Sequence, residues 1–152
     1  MSIEREMTMN IFETIRQDHE KQRTLVDLLV KTKGESDGRK DIWGRLKKEL
    51  EQHAKAEERY FYAPLMNHDR TQEMARHSVA EHHELDELIE VLESTDMTAP
   101  KWLQTAEKLK EMLIHHLDEE EQEIFQQAGH ALTEEEKSTL ANQFRGFRNA
   151  TD

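Results

Sequence analysis

Apolar residues recur along this chain at intervals of three and four positions, which is the spacing of one face of an α-helix. Four stripes of this kind are separated by short polar segments that contain Gly, Ser, Asn or Asp. The alternation of apolar and polar residues that indicates a half-buried strand is absent from the sequence. The pattern predicts four long helices, with stripes at Ile11, Ile15, Val26 and Leu29; at Trp43, Leu46, Leu50 and Tyr60 or Phe61; at Met74, Leu85, Ile89 and Leu92; and at Trp102, Leu109, Leu113 and Ile124.

Capping residues mark several of the predicted helix ends. Asn10 followed by Glu13, and Thr133 followed by Glu136, have the spacing of a capping box at the start of a helix. Pro100 is well tolerated in the first turn of the fourth helix. The predicted breaks are residues 34–38, 67–70 and 94–96, and the fourth helix is expected to reach Gly129.

Four helices of this length joined by short connections pack as an up-down-up-down bundle. The predicted fold class is therefore all-α, with a four-helix bundle over residues 10–130 and a short additional C-terminal helix over residues 133–149. Leu140, Phe144 and Phe147 form one apolar face of that last helix. We expect this face either to cap one end of the bundle or to contact another subunit.

Ionisable residues fill the gaps in all four apolar stripes. At these positions the side chains point at the core, where an unpaired charge is strongly destabilising. A common partner is therefore expected for them. The six residues are His19, His53, Glu57, His82, His116 and Glu120.

The six residues are two copies of one three-residue pattern. In each copy a first His lies 34 residues before a second His, and a glutamate follows the second His by four residues. All three positions recur at an offset of 63 residues. Two similar helical hairpins are thus predicted to pack about a pseudo-twofold axis, with four imidazoles and two carboxylates where they meet.

This set of side chains suits a pair of metal ions. A His and a Glu four residues apart on a helix lie one above the other and can reach the same ion. Imidazole and carboxylate ligands favour iron, with manganese, zinc and cobalt as competitors. Two carboxylates that face each other can bridge two ions about 3.5 Å apart. Each ion would retain room for a bridging oxygen and an open position for a small ligand.

Neighbouring residues are candidates for a supporting role. Glu58 and Glu121 also recur at the 63-residue offset and lie one step off the ligand face. We expect each to be either solvated or hydrogen-bonded to a ligand His. Tyr60 and Tyr62 both lie near Glu57, and Tyr60 is the candidate for a phenol that hydrogen-bonds a small ligand held at the centre. His83 and His115 are interpreted as surface or supporting groups, and His77 is a candidate for an extra ligand.

Composition narrows the range of partners. With 33 acidic and 21 basic residues, the formal net charge is −12, which disfavours nucleic acid and anionic membranes as partners. No stretch approaches the roughly 20 apolar residues of a membrane-spanning helix. The absence of cysteine excludes disulfides, iron–sulfur clusters and thiolate metal sites. Residues 1–6 contain no apolar signal region, so a cytoplasmic location is expected.

The order of the motifs resembles that of the hemerythrin-like cation-binding (HHE) family. The resemblance covers roughly residues 10–130. It is carried by His19, by His-Ala-Lys-Ala-Glu-Glu at 53–58 with Tyr-Phe-Tyr-Ala-Pro at 60–64, by Glu-His at 81–82, and by His-Leu-Asp-Glu-Glu-Glu at 116–121 with Ile-Phe at 124–125.

The resemblance implies a non-haem di-iron bundle whose two irons share an oxo or hydroxo bridge. In that arrangement each iron takes two histidines and both glutamates bridge the pair. The pairs would be His19 with His53 and His82 with His116, and the bridges Glu57 and Glu120. Members of the family bind dioxygen, sense oxygen or iron, handle nitric oxide or peroxide, or help to repair damaged iron centres.

Two differences from particular relatives leave several functions open. The oxygen-carrying hemerythrins have a further His four residues before the third-helix ligand, where this chain has Ser78, and the repair proteins carry a cysteine-containing N-terminal segment. The expected function is binding or sensing of dioxygen, nitric oxide or peroxide, with a separate redox or signalling protein as partner. The alternatives are iron-centre repair, an oxidoreductase that consumes peroxide or nitric oxide, and a structural bundle that holds a single zinc.

Overall fold

The computed structural model describes residues 9–151. The expectation that residues 1–6 lack a signal region lies outside the described residues. Within residues 9–151 the regular structure is entirely helical. The elements are α1 (Ile11–Leu29); α2 (Asp37–Glu57), continued by π1 (Glu58–Tyr62) and the short α3 (Ala63–Leu65); α4 (Gln72–Ser94); α5 (Pro100–Glu119), continued by π2 (Glu120–Ile124) and α6 (Phe125–Ala131); and α7 (Glu134–Thr151).

The predicted all-α class and the four-helix bundle are confirmed. The first helix starts with the predicted capping box, in which the Asn10 side chain accepts a hydrogen bond from the Glu13 amide and Glu13 accepts one from Asn10. Thr133 and Glu136 form the same reciprocal pair before α7. The prediction of a loop through residue 38 is wrong by two residues, because the Ser36 hydroxyl caps the Arg39 amide and allows α2 to begin at Asp37.

Each hairpin contains a five-residue π-helical segment that the sequence pattern did not predict. In π1 the Ala63 amide donates to the Glu58 carbonyl, and in π2 the Phe125 amide donates to the Glu120 carbonyl. A hydrogen bond that spans five residues places one extra residue in the turn. The segment π1 begins directly after Glu57, and π2 begins at Glu120 itself, so both change which side chains come next on the inward face.

The apolar interior is divided into two clusters by the layer of His and Glu side chains. One cluster includes Ile15, Phe61 and Phe125, and the other includes Val26, Leu46 and Trp102. Each of the four long helical runs contributes to both clusters when the segments that continue α2 and α5 are included. Burial of these apolar side chains is the main stabilising term of the bundle, and it fixes the polar layer between two dry regions.

The C-terminal helix, α7, lies along the first hairpin, which is formed by α1 and α2, and packs against both of these helices and π1. Phe144 is fully buried there, with its ring 5.8 Å from the His53 ring. Arg148, also buried, forms ion pairs with Asp18 and Glu49. The helix therefore covers the side of the bundle next to one of the predicted ligands. Among the described residues, no helix has the length and apolar character that a membrane span requires.

Candidate metal centre

The six predicted ligands lie together in the polar layer of the bundle. None of them is more than 5% exposed to solvent. They come from all four long helical runs, because the stripes of α1, α2, α4 and α5 each place their interruption at the same height. The set is His19, His53, Glu57, His82, His116 and Glu120.

One half of the layer brings His19 and His53 to both glutamates. His19 Nε2 lies 3.1 Å from Glu120 Oε1, and His53 Nε2 lies 3.2 Å from Glu57 Oε2. His19 Nε2 is also 3.8 Å from Glu57 Oε2. The four side chains offer ligand atoms that all lie within 4.8 Å of one another.

The other half is formed around His82 and His116. His82 Nε2 lies 3.1 Å from Glu57 Oε1 and 3.2 Å from His116 Nε2. His116 Nε2 lies 3.6 Å from Glu120 Oε2. Each glutamate therefore directs one oxygen at the first pair of histidines and the other at the second pair, which is the arrangement of two bridging carboxylates.

Unsatisfied buried atoms indicate that a cation belongs in the half of the layer around His19 and His53. His19 Nε2, His53 Nε2, Glu57 Oε2 and Glu120 Oε1 are buried there, and their contacts with one another do not have hydrogen-bond geometry. Buried polar atoms without a partner are rare and costly. Ligand atoms about 2.1 Å from a metal ion lie roughly 3.0–3.4 Å apart in octahedral or tetrahedral geometry, close to the spacings found here. The residues thus fit a pair of cations in both chemistry and spacing.

Each of the four imidazoles is held at Nδ1 by a second carboxylate. Such a bond fixes the orientation of a ligand His and leaves Nε2 for the metal. Glu58 and Glu121 fill this role across the two hairpins, and Asp18 and Glu81 fill it within a hairpin. The Nδ1-to-oxygen distances are 2.6 Å for His19–Glu121, 2.8 Å for His53–Asp18, 3.3 Å for His82–Glu58 and 2.9 Å for His116–Glu81.

Sequence reasoning missed Asp18 and Glu81. A signal for them was present, because the two residues are related by the same 63-residue offset and each directly precedes a predicted ligand His. The two positions differ in burial. Asp18 is buried and paired with Arg148, whereas Glu81 lies at the edge of the bundle with 16% of its side chain exposed.

The structure places Tyr62, rather than Tyr60, beside the carboxylates. The Tyr62 hydroxyl donates to Glu57 Oε1 at 2.7 Å and also contacts Glu120 Oε2. Tyr60 instead packs its ring 5.9 Å from that of Phe147. The cause is π1, whose extra residue puts position 62 in line with Glu57 where a regular helix would put position 60 or 61.

We expect Tyr62→Phe to destabilise the metal-free protein by about 1.5–3 kcal/mol, the range for a hydrogen bond to a charged group. The substitution keeps the ring and removes only the hydroxyl that contacts Glu57 and Glu120. Urea unfolding followed by circular dichroism measures the effect. Tyr60→Phe is the matched control and should change stability by less than about 0.5 kcal/mol; equal losses from both variants would contradict the assignment.

Neighbouring carboxylates raise the pKa values of buried histidines in this layer. Burial alone would lower the pKa of His53, but Glu57 and Asp18 raise it to about 9. Burial is likewise outweighed at His82, where Glu57 and Glu58 raise the pKa to about 10. The pKa of Glu120 is raised by burial and by the adjacent Glu57. Without a metal ion, protons therefore supply the positive charge in this layer.

Metal uptake is expected to release protons, because an imidazole must be neutral at Nε2 to bind an ion. His53 and His82 are protonated below pH values of about 9 and about 10, so at pH 7 an incoming ion displaces at least one proton in each half of the layer. Affinity should then rise by up to about tenfold per pH unit for each proton released. Iron(II) titration in weak buffer with a pH indicator measures the release; uptake without release would contradict it.

A small cavity adjoins the layer on the side away from Tyr62. It is about 20 Å³ in volume, enough for one or two light atoms, and three of the predicted ligand histidines reach its wall. The Gln22 side chain is buried there and its Nε2 has no hydrogen-bond partner. Gln22 corresponds to Leu85 in the 63-residue repeat, so this amide breaks the pseudo-symmetry of the lining. The lining residues are Gln22, Leu50, His53, Ala54, His82, Leu85, Asp86, Ile89, Leu113 and His116.

Comparisons with known proteins give a family match, a match to a solved structure and a match to a curated relative. The family profile described as Hemerythrin HHE cation binding domain matches residues 10–128. A solved structure of a hemerythrin HHE cation binding domain-containing protein from Mycobacterium kansasii superposes with a TM-score of 0.85 over 95% of this chain and 88% of that chain, at 21% identity.

A curated relative from Nostoc sp. (strain PCC 7120), named a DNA nickase, is 27% identical over 145 residues. The match includes 92% of this chain and only 39% of the relative. This chain therefore spans well under half the length of that relative.

Proposed function

The chain belongs to the Hemerythrin HHE cation binding domain family, and on that premise we propose that it binds two iron ions and uses them to bind or sense a small oxidant: dioxygen, nitric oxide or peroxide. The observation that carries the proposal is the meeting of His Nε2 and carboxylate oxygen atoms in two adjoining groups of the buried layer. In the group around His19 and His53, these atoms also lack hydrogen-bond partners. Iron suits this mixture of imidazole and carboxylate ligands.

Each side chain of the layer has a defined task in this proposal. His19 and His53 would hold one ion, and His82 and His116 would hold the other. Glu57 and Glu120 would supply carboxylate oxygens and negative charge to both ions. When bound, a pair of irons supplies reversible electron transfer to or from a small oxidant.

The surrounding residues orient the imidazoles, exclude bulk water and leave room for a small ligand. The carboxylates at Nδ1 hold the imidazoles in one orientation before any ion arrives. The two apolar clusters keep bulk water away from the layer. The cavity beside His53, His82 and His116 offers room for one or two atoms, and the Gln22 amide is available there as a hydrogen-bond donor.

Nicking of DNA is not part of the proposal. This chain matches only 39% of the length of the relative with that name. The larger part of that relative, which this chain does not match, is long enough to carry the nickase activity. A net charge of −12 also opposes the binding of a phosphate backbone.

The proposal is tested by metal analysis of the protein after aerobic purification from iron-replete cells. About two irons per chain would support a di-iron centre of this kind, whereas a single zinc or no metal would contradict it. Exposure of the reduced protein to dioxygen, nitric oxide or peroxide should then change its visible absorption. Saturation at one equivalent per centre supports binding or sensing, and consumption of many equivalents identifies an oxidoreductase instead.

Gln22→Leu is expected to weaken the binding of azide, a small anionic probe, by about tenfold, which corresponds to one hydrogen bond of about 1.4 kcal/mol. Leucine is the residue at the equivalent position of the second hairpin, so the substitution fits the local packing pattern. Azide titration followed by absorption gives the affinity, with iron content measured alongside. The exposed Gln126→Leu is the control, and equal affinities for azide in the wild type and Gln22→Leu would rule out the donor role.

A further inference from the structure

Four further His-x-x-x-Glu pairs lie outside the buried layer, and two of them lie side by side on the surface of the second hairpin. On α4 the pair is His77 and Glu81, and on α5 it is His115 and Glu119. This is the same spacing that the ligands of the buried layer use. The two histidines are well exposed, whereas the two glutamates are largely covered.

The four side chains converge between the two helices. His77 Nε2 lies 3.5 Å from Glu81 Oε2 and 3.6 Å from Glu119 Oε1. His115 Nε2 lies 3.0 Å from the other oxygen of Glu119. The ligand atoms of His77, Glu81 and Glu119 all fall within 4.8 Å of one another.

These spacings match the first shell of a small divalent ion. Ligand atoms about 2.1 Å from a tetrahedral ion are roughly 3.4 Å apart, close to the separations around His77. One imidazole and two carboxylates leave a coordination position for water, as expected for an accessible site. His115 contacts Oε2 of Glu119 and so keeps Oε1 of the same carboxylate directed at His77.

The equivalent face of the first hairpin is built differently. The residues at the 63-residue offset are Thr14, Asp18, Gln52 and Ala56, so only one carboxylate is present. That side is covered by α7, and its cation is the Arg148 guanidinium, which pairs with Asp18 and Glu49. Only the face that α7 leaves open carries the paired motifs.

We infer that His77, Glu81 and Glu119 form a third, surface metal site that takes one borderline divalent cation such as Zn²⁺, with His115 as the residue that positions Glu119. Imidazole with carboxylate is a ligand set that such ions accept. The site lies next to the buried centre, because Glu81 directs one oxygen at His77 and the other at Nδ1 of His116.

The experiment is a calorimetric titration of the full-length protein, as purified and with its metal content measured, with Zn²⁺. Wild-type protein should show a Zn²⁺-binding step with a stoichiometry of one ion per chain. The affinity of that step should fall at least about tenfold in His77→Ala, since even loss of a group that only supports a ligand costs about 10–100-fold. His83→Ala removes another exposed histidine of α4 and should bind as the wild type does.

Identical isotherms for wild type and His77→Ala would overturn the proposal, as would an equal loss in His83→Ala. His115→Ala gives a second criterion, because a positioning residue should weaken the step without removing it. Melting temperature and iron content, measured for every variant, distinguish loss of the surface site from loss of the fold or of the buried centre.

Discussion

Removal of the metal ions is expected to lower the melting temperature of the protein by about 10 °C. An ion present at roughly a thousand times its dissociation constant stabilises the folded state by about 4 kcal/mol. For a chain of this length each kcal/mol corresponds to about 2–4 °C. The physical reason lies in the polar layer, where Glu57 and Glu120 are fully buried and lose their divalent counter-charges.

Differential scanning calorimetry before and after anaerobic chelation would measure this change. Restoration of the higher melting temperature by iron(II) is the control for irreversible damage. The protonated imidazoles of the metal-free layer replace part of the lost charge, so we expect a stable but weaker bundle rather than an unfolded chain. Equal melting temperatures with and without metal would show that the layer is satisfied without cations.

Replacement of both proposed bridging carboxylates in Glu57→Gln/Glu120→Gln is expected to lower metal affinity by at least about a hundredfold, because loss of even a supporting group costs about 10–100-fold. Metal content should then fall well below one ion per chain. Glutamine preserves the shape of each side chain, and its carbonyl oxygen can still accept the hydrogen bond from Tyr62. The variant therefore tests the negative charges and the bridging oxygens rather than the packing.

Elemental analysis of the purified variant provides the measurement, with circular dichroism as the check on folding. Glu123→Gln is the matched control, because Glu123 lies in the same π-helical segment as Glu120 but is exposed. The control should keep the metal content of the wild type. Retention of two ions by the double variant would exclude Glu57 and Glu120 as bridging ligands.

The double variant also serves as a control for the melting experiment. Chelation has no metal to remove from Glu57→Gln/Glu120→Gln, so it should leave the melting temperature of that variant unchanged. A drop of similar size in the variant would mean that the chelator acts on another part of the molecule, such as the surface cluster around His77.

Several features of the fold could be predicted from sequence because they depend on local chemistry. The capping boxes at Asn10 and Thr133 act within one turn, and the apolar stripes report directly on which helix face is buried. The inward position of the six His and Glu residues follows from the same periodicity. Their pairing across the bundle follows from the 63-residue repeat, since similar hairpins pack in similar ways.

The π-helical segments depend on tertiary packing and could not be predicted in this way. A helix pattern read at a constant 3.6 residues per turn places Tyr60 or Phe61 after Glu57, whereas the extra residue in π1 places Tyr62 there. The position of α7 is a second example. Its apolar face was evident, but only the folded chain shows that Arg148 reaches Asp18 and thereby supports His53.

The sequence by itself determined the helices, their inward faces and the six residues that meet in the polar layer, because period, capping and repeat are properties of neighbours along the chain. The tertiary structure decided which atoms face each other: which oxygen of each glutamate meets which histidine, which tyrosine lies between the carboxylates, and which side of the bundle α7 covers. Those relations join residues far apart in sequence, and they depend on how complete helices pack against one another rather than on any local pattern.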